Sequence, residues 1–243
     1  MTGKGTPTTA AHELYSALRA EFIRGEFIQG QRLKLDTLTQ RLNVSRTVAR
    51  EALMRLVGEG IVTFNPQRGF TVENMTPEEF VDLTHARMIV EGGAFRDSIR
   101  RGGITWESEV LAAFHVLDRT PFALHNAGNG RSWPEVHDRF HATLLAGSGN
   151  HTIAGIALRL RERAQLYPGW YEQAGNPAAR DTSAEHRRLA DLALTGDEDA
   201  AVAALTDHIA LSTRLLLERQ GFELDENLMI TADPDRADRT QNA

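Results

Sequence analysis

In the C-terminal part of the chain four histidines, His137, His141, His186 and His208, stand where a helical apolar stripe should be continuous. His137 and His141 are four apart and share a face with Trp133, Phe140 and Leu144, so two imidazoles one turn apart point inward. His186 falls with Leu189, Ala190 and Ala193, and His208 with Ala201, Ala204, Leu205, Ile209, Ser212 and Leu216. One inward histidine is ordinarily a hydrogen-bonded core residue. Four facing one interior are costly to bury without partners, and a divalent cation supplies a shared partner for every ring. The chain has no cysteine, so nitrogen and oxygen are the available donors. They suit zinc, with nickel, manganese or iron as alternatives.

A second group is cationic. In the stretch Asn43 to Val57, Arg46 and Arg50 are four apart with Thr47 beside them, and Ser45 is placed to cap a helix. Ala49, Ala52, Leu53, Leu56 and Val57 form the opposite, apolar stripe. A short helix with a dry back and an arginine front suits the phosphates and guanine edges of a DNA major groove. An ordinary amphipathic helix with solvated arginines has the same pattern.

The elements that must carry these side chains are mostly helical. Residues 1–8 are small and polar and are expected to be disordered. A helix is expected from Thr9 to Arg24, with Leu14, Leu18 and Phe22 inward. After a Gly-containing turn over Phe27 to Leu33, Asp36 is placed to cap a second short helix bearing Leu38 and Leu42. Asn43-Val44 then leads directly into the arginine helix, a helix-turn-helix order. Ile61 to Phe64 and Phe70 to Val72 flank Asn65-Pro66-Gln67-Arg68-Gly69 and read as a β-hairpin with Arg68 at its tip. Such a wing suits a backbone or minor-groove contact, or merely closes a small core.

Thr76-Pro77-Glu78-Glu79 is a capping box with proline at the first helical position. From there six helices are expected, at roughly 77–101, 106–127 with a possible break at Pro121, 133–146, 152–167, 178–195 and 198–220. The fold class is therefore mainly α: a winged helix-turn-helix over 9–74, then an antiparallel bundle of six or seven helices over 75–222. A loose polar tail is expected over 223–243.

The net charge of −6 divides unevenly. Through Asn74 there are ten Lys and Arg against seven Asp and Glu, and beyond it 17 against 26. A mildly cationic head on an acidic body fits a protein that touches DNA with one end. No signal segment or membrane-length apolar run is read from the sequence, so a cytoplasmic location is expected.

Residues from about His12 to Val72 resemble the winged helix-turn-helix of GntR-type transcription regulators: RGEF with GQRL, then VSRTVAREALMRL, then GIVTFNPQRGFTV. The bundle resembles the FCD effector domain of the FadR-like branch of that family. The resemblance implies DNA contacts from Ser45, Arg46, Thr47 and Arg50, and from Arg68 and Gly69 in the wing. It departs from the family pattern at Gln29, Val48 and Asp36, which bears on the operator sequence and not on the fold. Many FCD domains hold a divalent metal through an aspartate and a histidine four apart plus two later histidines. His141, His186 and His208 match, and His137 occupies the aspartate position. Asp138, three before His141, is the alternative carboxylate.

Arg87 and Glu91, an i, i+4 pair, read as a solvated ion pair. The resemblance instead implies that Arg87 reaches an effector pocket, where an arginine and a metal with open positions select an organic acid. The remaining bundle histidines, His85, His115, His125 and His151, are read as structural. A homodimer is expected from the geometry of paired DNA half-sites. The rival reading is a metal-dependent enzyme, but four histidines leave few open positions and HExxH is absent.

Overall fold

A computed structural model describes residues 9–23, 26–122, 132–167 and 180–232. The chain divides into two compact units, Met1–Met75 and Thr76–Ala243.

In the first unit, helix α1 (Ala10–Ile23) lies on α3 (Arg46–Gly58), and α2 (Leu35–Leu42) packs beside α3. The apolar spacing of α3 explains its place at the centre: Ala49, Ala52, Leu53 and Leu56 are fully buried, with Leu14 and Leu18 of α1 and Leu38 of α2 in the same core. Ser45 caps α3 by accepting from the Val48 amide at 3.2 Å. The turn before it needs a left-handed residue, and Asn43 takes φ 50 there, a conformation asparagine tolerates. Asp36 does not cap α2. The N-cap is Lys34, without a side-chain bond, and Asp36 lies inside the first turn where its carboxylate meets Arg46 at 3.0 Å.

The hairpin is present as β2 (Val62–Asn65) and β3 (Gly69–Val72), joined by a third strand, β1 (Arg32–Leu33), in the antiparallel order β1-β3-β2. Strand β1 lies within the stretch read as a turn. Two residues are too few to show alternation, and they become a strand only because Phe70 and Thr71 offer a paired edge.

The second unit is the helical bundle. Helix α4 (Pro77–Arg101) opens with the Thr76–Glu79 capping box and packs along α9 (Glu198–Arg219), α7 (His151–Ala164) and α6 (Trp133–Ala146). Helix α5 (Gly103–Asp118) packs on α6 and on α8 (Thr182–Thr195). The expected 106–127 helix is therefore displaced: it begins three residues earlier and stops at Asp118. Proline at 121 has no amide to donate and disfavours a helical residue before it; residues 123–127 lie outside the described part. Helix α8 starts at Thr182 rather than 178, because Asp181 caps it by accepting from the Ala184 amide at 2.9 Å.

The tail reading is corrected over 223–232. Strands β4 (Glu223–Leu224) and β5 (Ile230–Ala232) form a hairpin, Leu228 is buried in its turn, and Arg214 donates to the carbonyls of Leu224 and Asp225 at 3.2 and 2.8 Å. Residues 1–8 and 233–243 lie outside the described part. Helix α9 is also long and apolar enough by composition to cross a membrane, contrary to the reading of the apolar runs. Its buried stripe from Ala201 to Leu217 is explained by packing on α4 and α8.

Candidate metal centre and nucleic-acid face

Helix α6 supplies His137 and His141, α8 supplies His186 and α9 supplies His208. One ring nitrogen from each lies within 4.8 Å of the others. The rings are packed 4.6 to 5.2 Å apart by centroid. All four are buried, His141 at 1% exposure. Burial, as the largest cause, lowers the pKa of His137, and lowers those of His141, His186 and His208 well below the usual histidine value. Neighbouring Arg161 and Arg180 push the same way. Neutral imidazoles with free lone pairs are the form that binds metal.

The donor set fits a cation by a direct observation. Both ring nitrogens of His137 and Nδ1 of His141 are buried without a hydrogen-bond partner. Each such group costs about 1–3 kcal/mol if left unsatisfied. Nε2 of His141 and Nε2 of His186 face each other at 3.2 Å, near the separation of about 3.4 Å that two nitrogens have on a tetrahedral zinc with bonds of about 2.05 Å. His208 is oriented from behind: Nδ1 lies 2.8 Å from Glu185 Oε2. Arg180 Nη2 lies 2.8 Å from the same Nδ1, so the tautomer with Nδ1–H toward Glu185 is the one that would leave Nε2 as a lone-pair nitrogen for a metal.

Asp138 is not in this cluster. It accepts from Gln165 Nε2 at 2.7 Å, lies 3.6 Å from Arg161, and stands 3.6 Å behind Nδ1 of His137. The structure brings His137, not Asp138, to the other three histidines.

The Arg87–Glu91 pair is corrected as well. It is interior: Arg87 is 1% exposed, and its Nε donates to the fully buried Glu91 carboxylate at 2.6 Å. Arg161 donates to the other oxygen of Glu91 at 3.4 Å. Burial lowers the Arg87 pKa, and the charge of Arg87 is felt at His208.

On the first unit, Arg46, Thr47 and Arg50 project from α3 on its exposed side. Among the described residues Arg46 pairs with the exposed Asp36, and Arg50 lies 5.0 Å over the Phe64 ring of β2. Arg68 is exposed at the hairpin tip, where its amide bonds to Asn65 at 3.1 Å, and Gly69 takes φ 83, which admits glycine readily. Ser45 is committed to its cap, so its hydroxyl does structural work there.

Comparison with known proteins follows this division. Residues 10–72 match the model of the bacterial regulatory proteins of the gntR family, and residues 82–211, more than half of the chain, match the FCD domain. The chain belongs to the GntR family. It is similar to the HTH-type transcriptional repressor GlaR of Escherichia coli, 30% identical over 80% of this chain and 90% of that protein. It is also similar to the HTH-type transcriptional regulator BphR of Paraburkholderia xenovorans, 30% identical over 82% and 81%. The solved structure of E. coli McbR/YncC shares the fold, with a TM-score of 0.71 at 19% identity over 88% of this chain and all of that one. This GntR protein is accordingly a DNA-binding transcription regulator with an FCD domain, and not an enzyme.

Of the other bundle histidines, His85 bonds to the Asn227 carbonyl at 3.0 Å, His115 and His151 are exposed, and His125 lies outside the described residues. Sequence reasoning missed Arg161, Arg180, Glu185 and Gln165, which surround the histidines. Arg161 and Arg180 are 4% exposed by side chain. Arginine on a helix or in a loop reads as solvent-facing, and no spacing in the sequence marks these two as buried.

Proposed function

We propose that this GntR regulator senses a small organic acid through a metal ion held by His137, His141, His186 and His208, and that acid binding changes its hold on operator DNA. The unpartnered, buried nitrogens of His137 and His141 carry the reading. The four imidazoles would hold a zinc, or nickel, manganese or iron in its place, and a carboxylate oxygen would reach the ion only where it takes more than four ligands, as zinc can by expanding to five and the others do more readily. Arg87, with Arg161 and Arg180, supplies a buried positive field that favours an anion, and Glu185 holds the His208 imidazole in place.

DNA is read by Arg46, Thr47 and Arg50 in the major groove, with Ser45 at the cap and Arg68 and Gly69 of the wing on the backbone. The Arg46–Asp36 pair is exposed on both sides, worth about 0–1 kcal/mol, and exchanges readily for a phosphate. The regulator acts as a cytoplasmic homodimer on paired half-sites and, like the relative named a repressor, blocks transcription until the acid binds. The acid must bind one DNA-binding arrangement better than the other, or it shifts nothing.

Elemental analysis of protein purified without added metal tests the centre: about one divalent ion per chain is expected, lost in His186→Ala. Metal-free native protein sinks it. Gel shifts with the chain's own upstream DNA test the other end. Binding should fail in Arg46→Ala and Arg50→Ala while circular dichroism shows the fold intact, and undiminished binding would remove α3 as the reading helix.

A further inference from the structure

A cavity of about 470 Å³ opens between α5, α6 and the start of α8. The size is within the roughly 300–1,000 Å³ of small-molecule sites. One side of its wall is apolar and largely aromatic, made by Phe114 and Leu117 from α5, Phe122 just beyond that helix, and Trp133 from the first turn of α6; the other side is polar, with Thr120, Thr182 and Ser183. Phe122 stands edge-on to Trp133 with centroids 5.2 Å apart, and Trp133 stacks on His137 at 4.5 Å. The wall is thus continuous with the histidine cluster.

The two ends of the cavity differ in charge. At the buried end are His186 and Arg180. Arg180 is fixed by Glu185, to which its Nε donates at 2.7 Å and its Nη2 also donates, by Ser212, to which Nη1 donates at 2.8 Å, and by His208 Nδ1 at 2.8 Å from Nη2, so the guanidinium is oriented in advance. At the exposed rim are Asp118 and Asp181. Asp181 caps α8, and Asp118 is paired with Arg187 at 3.3 Å, whose guanidinium also lies over Phe114. Arg87 is not among the residues lining the cavity.

We propose that this cavity seats the effector, and that the effector is a monocarboxylic acid bearing an aromatic ring, its ring against Phe122 and Trp133 and its carboxylate turned inward to His186 and Arg180. The inference rests on the reading of the bundle as an organic-acid sensor and specifies the acid. The aromatic wall sets the body: a ring among aromatic side chains gains about 0.5–1.5 kcal/mol per pair beyond its buried area, which an aliphatic acid of the same charge forgoes. The charge gradient sets the direction. A carboxylate at the rim meets two aspartates, one of them shared with Arg187, whereas at the buried end it meets the guanidinium of Arg180, which it would share with Glu185 through the remaining Nη1 hydrogen. The same gradient selects one carboxylate over two, because the second would lie at the acidic rim.

Thermal shift and tryptophan fluorescence on the full chain, with and without one equivalent of zinc, test the assignment with benzoate and phenylacetate against acetate, butyrate, succinate and benzyl alcohol. The two aryl acids should stabilise the protein saturably and quench fluorescence, with the quench lost in Trp133→Phe. The aliphatic acids and the alcohol should bind about tenfold more weakly or not at all. Phe122 is 40% exposed, so Phe122→Ala leaves the core intact. It should weaken the aryl acids roughly three- to tenfold and leave butyrate unchanged. Aliphatic acids binding as well as aryl acids, or indifference to Phe122→Ala, overturns the aryl assignment and leaves the organic-acid reading standing. If no acid binds with or without zinc, both fall.

Discussion

At Arg87 and Glu91 the side chains of an i, i+4 pair are 1% and 0% exposed. On a surface helix such a pair contributes about 0.3–0.5 kcal/mol. In the interior each ion has lost several kcal/mol of hydration, so the partners hold one another in place. Arg87→Ala leaves Glu91 with only Arg161 at 3.4 Å and is expected to cost the bundle about 3–5 kcal/mol in urea unfolding. The double variant Arg87→Met with Glu91→Met should cost less than Arg87→Ala alone. A single-variant cost below about 1 kcal/mol would mean the pair is hydrated after all. The pair itself was legible in the spacing of the sequence. Its burial was not, because it depends on α6, α7 and α9 closing over α4.

Among the elements, the joint between α4 and α5 shows how closely the bundle is packed. The two helices are separated by Gly102, and Gly103 turns the chain with φ 60. Trp106 folds back into the corner, donating from Nε1 to the Thr143 carbonyl of α6 at 2.7 Å. A Cβ on Gly147, at the end of α6, would lie 2.8 Å from Cγ of that indole. Gly147→Ala is therefore expected to destabilise the bundle by about 1–3 kcal/mol, despite an ordinary helical φ of −71 at that position. Combining it with Trp106→Leu should recover part of the loss, and an unchanged denaturation midpoint for Gly147→Ala would contradict the packing. At the other end of α4, Thr76→Ala removes the acceptor for the Glu79 amide at 3.2 Å and should cost about 1 kcal/mol. Rescue by Thr76→Ser in thermal denaturation would identify the hydroxyl as the cause. The capping box could be read from four residues, since every partner is local. The Trp106 corner joins residues about forty apart and carries no local signature.

For the whole molecule, the proposed metal joins three helices that are distant in sequence, so its binding free energy adds directly to bundle stability. Removing it with a chelator should lower the thermal transition, and equimolar zinc should restore it. At a free metal concentration of 100 times Kd the contribution is about 2.7 kcal/mol. No change on chelation of metal-loaded protein would show that the histidines are satisfied in some other way. The same linkage runs between acid and DNA. If the acid weakens operator binding by a given factor, operator DNA weakens acid binding equally, which titration of the acid with and without DNA would measure.

By itself the sequence determined the order of the elements, the exposed arginine front and buried back of α3, the hairpin and the inward histidine stripes, because each is a local periodicity or cap. It also carried the family through VSRTVAREALMRL and the wing. Only the tertiary structure decided that the three histidine-bearing stripes meet at one point, that Asp138 stays behind His137, and that Arg161 and Arg180 are interior. It likewise decided β1 and the hairpin over 223–232, since a two-residue strand exists only where another strand offers its edge. The physical reason is common to these cases. Periodicity reports which side of an element is dry, whereas the identity of what lies against that side is set by long-range packing.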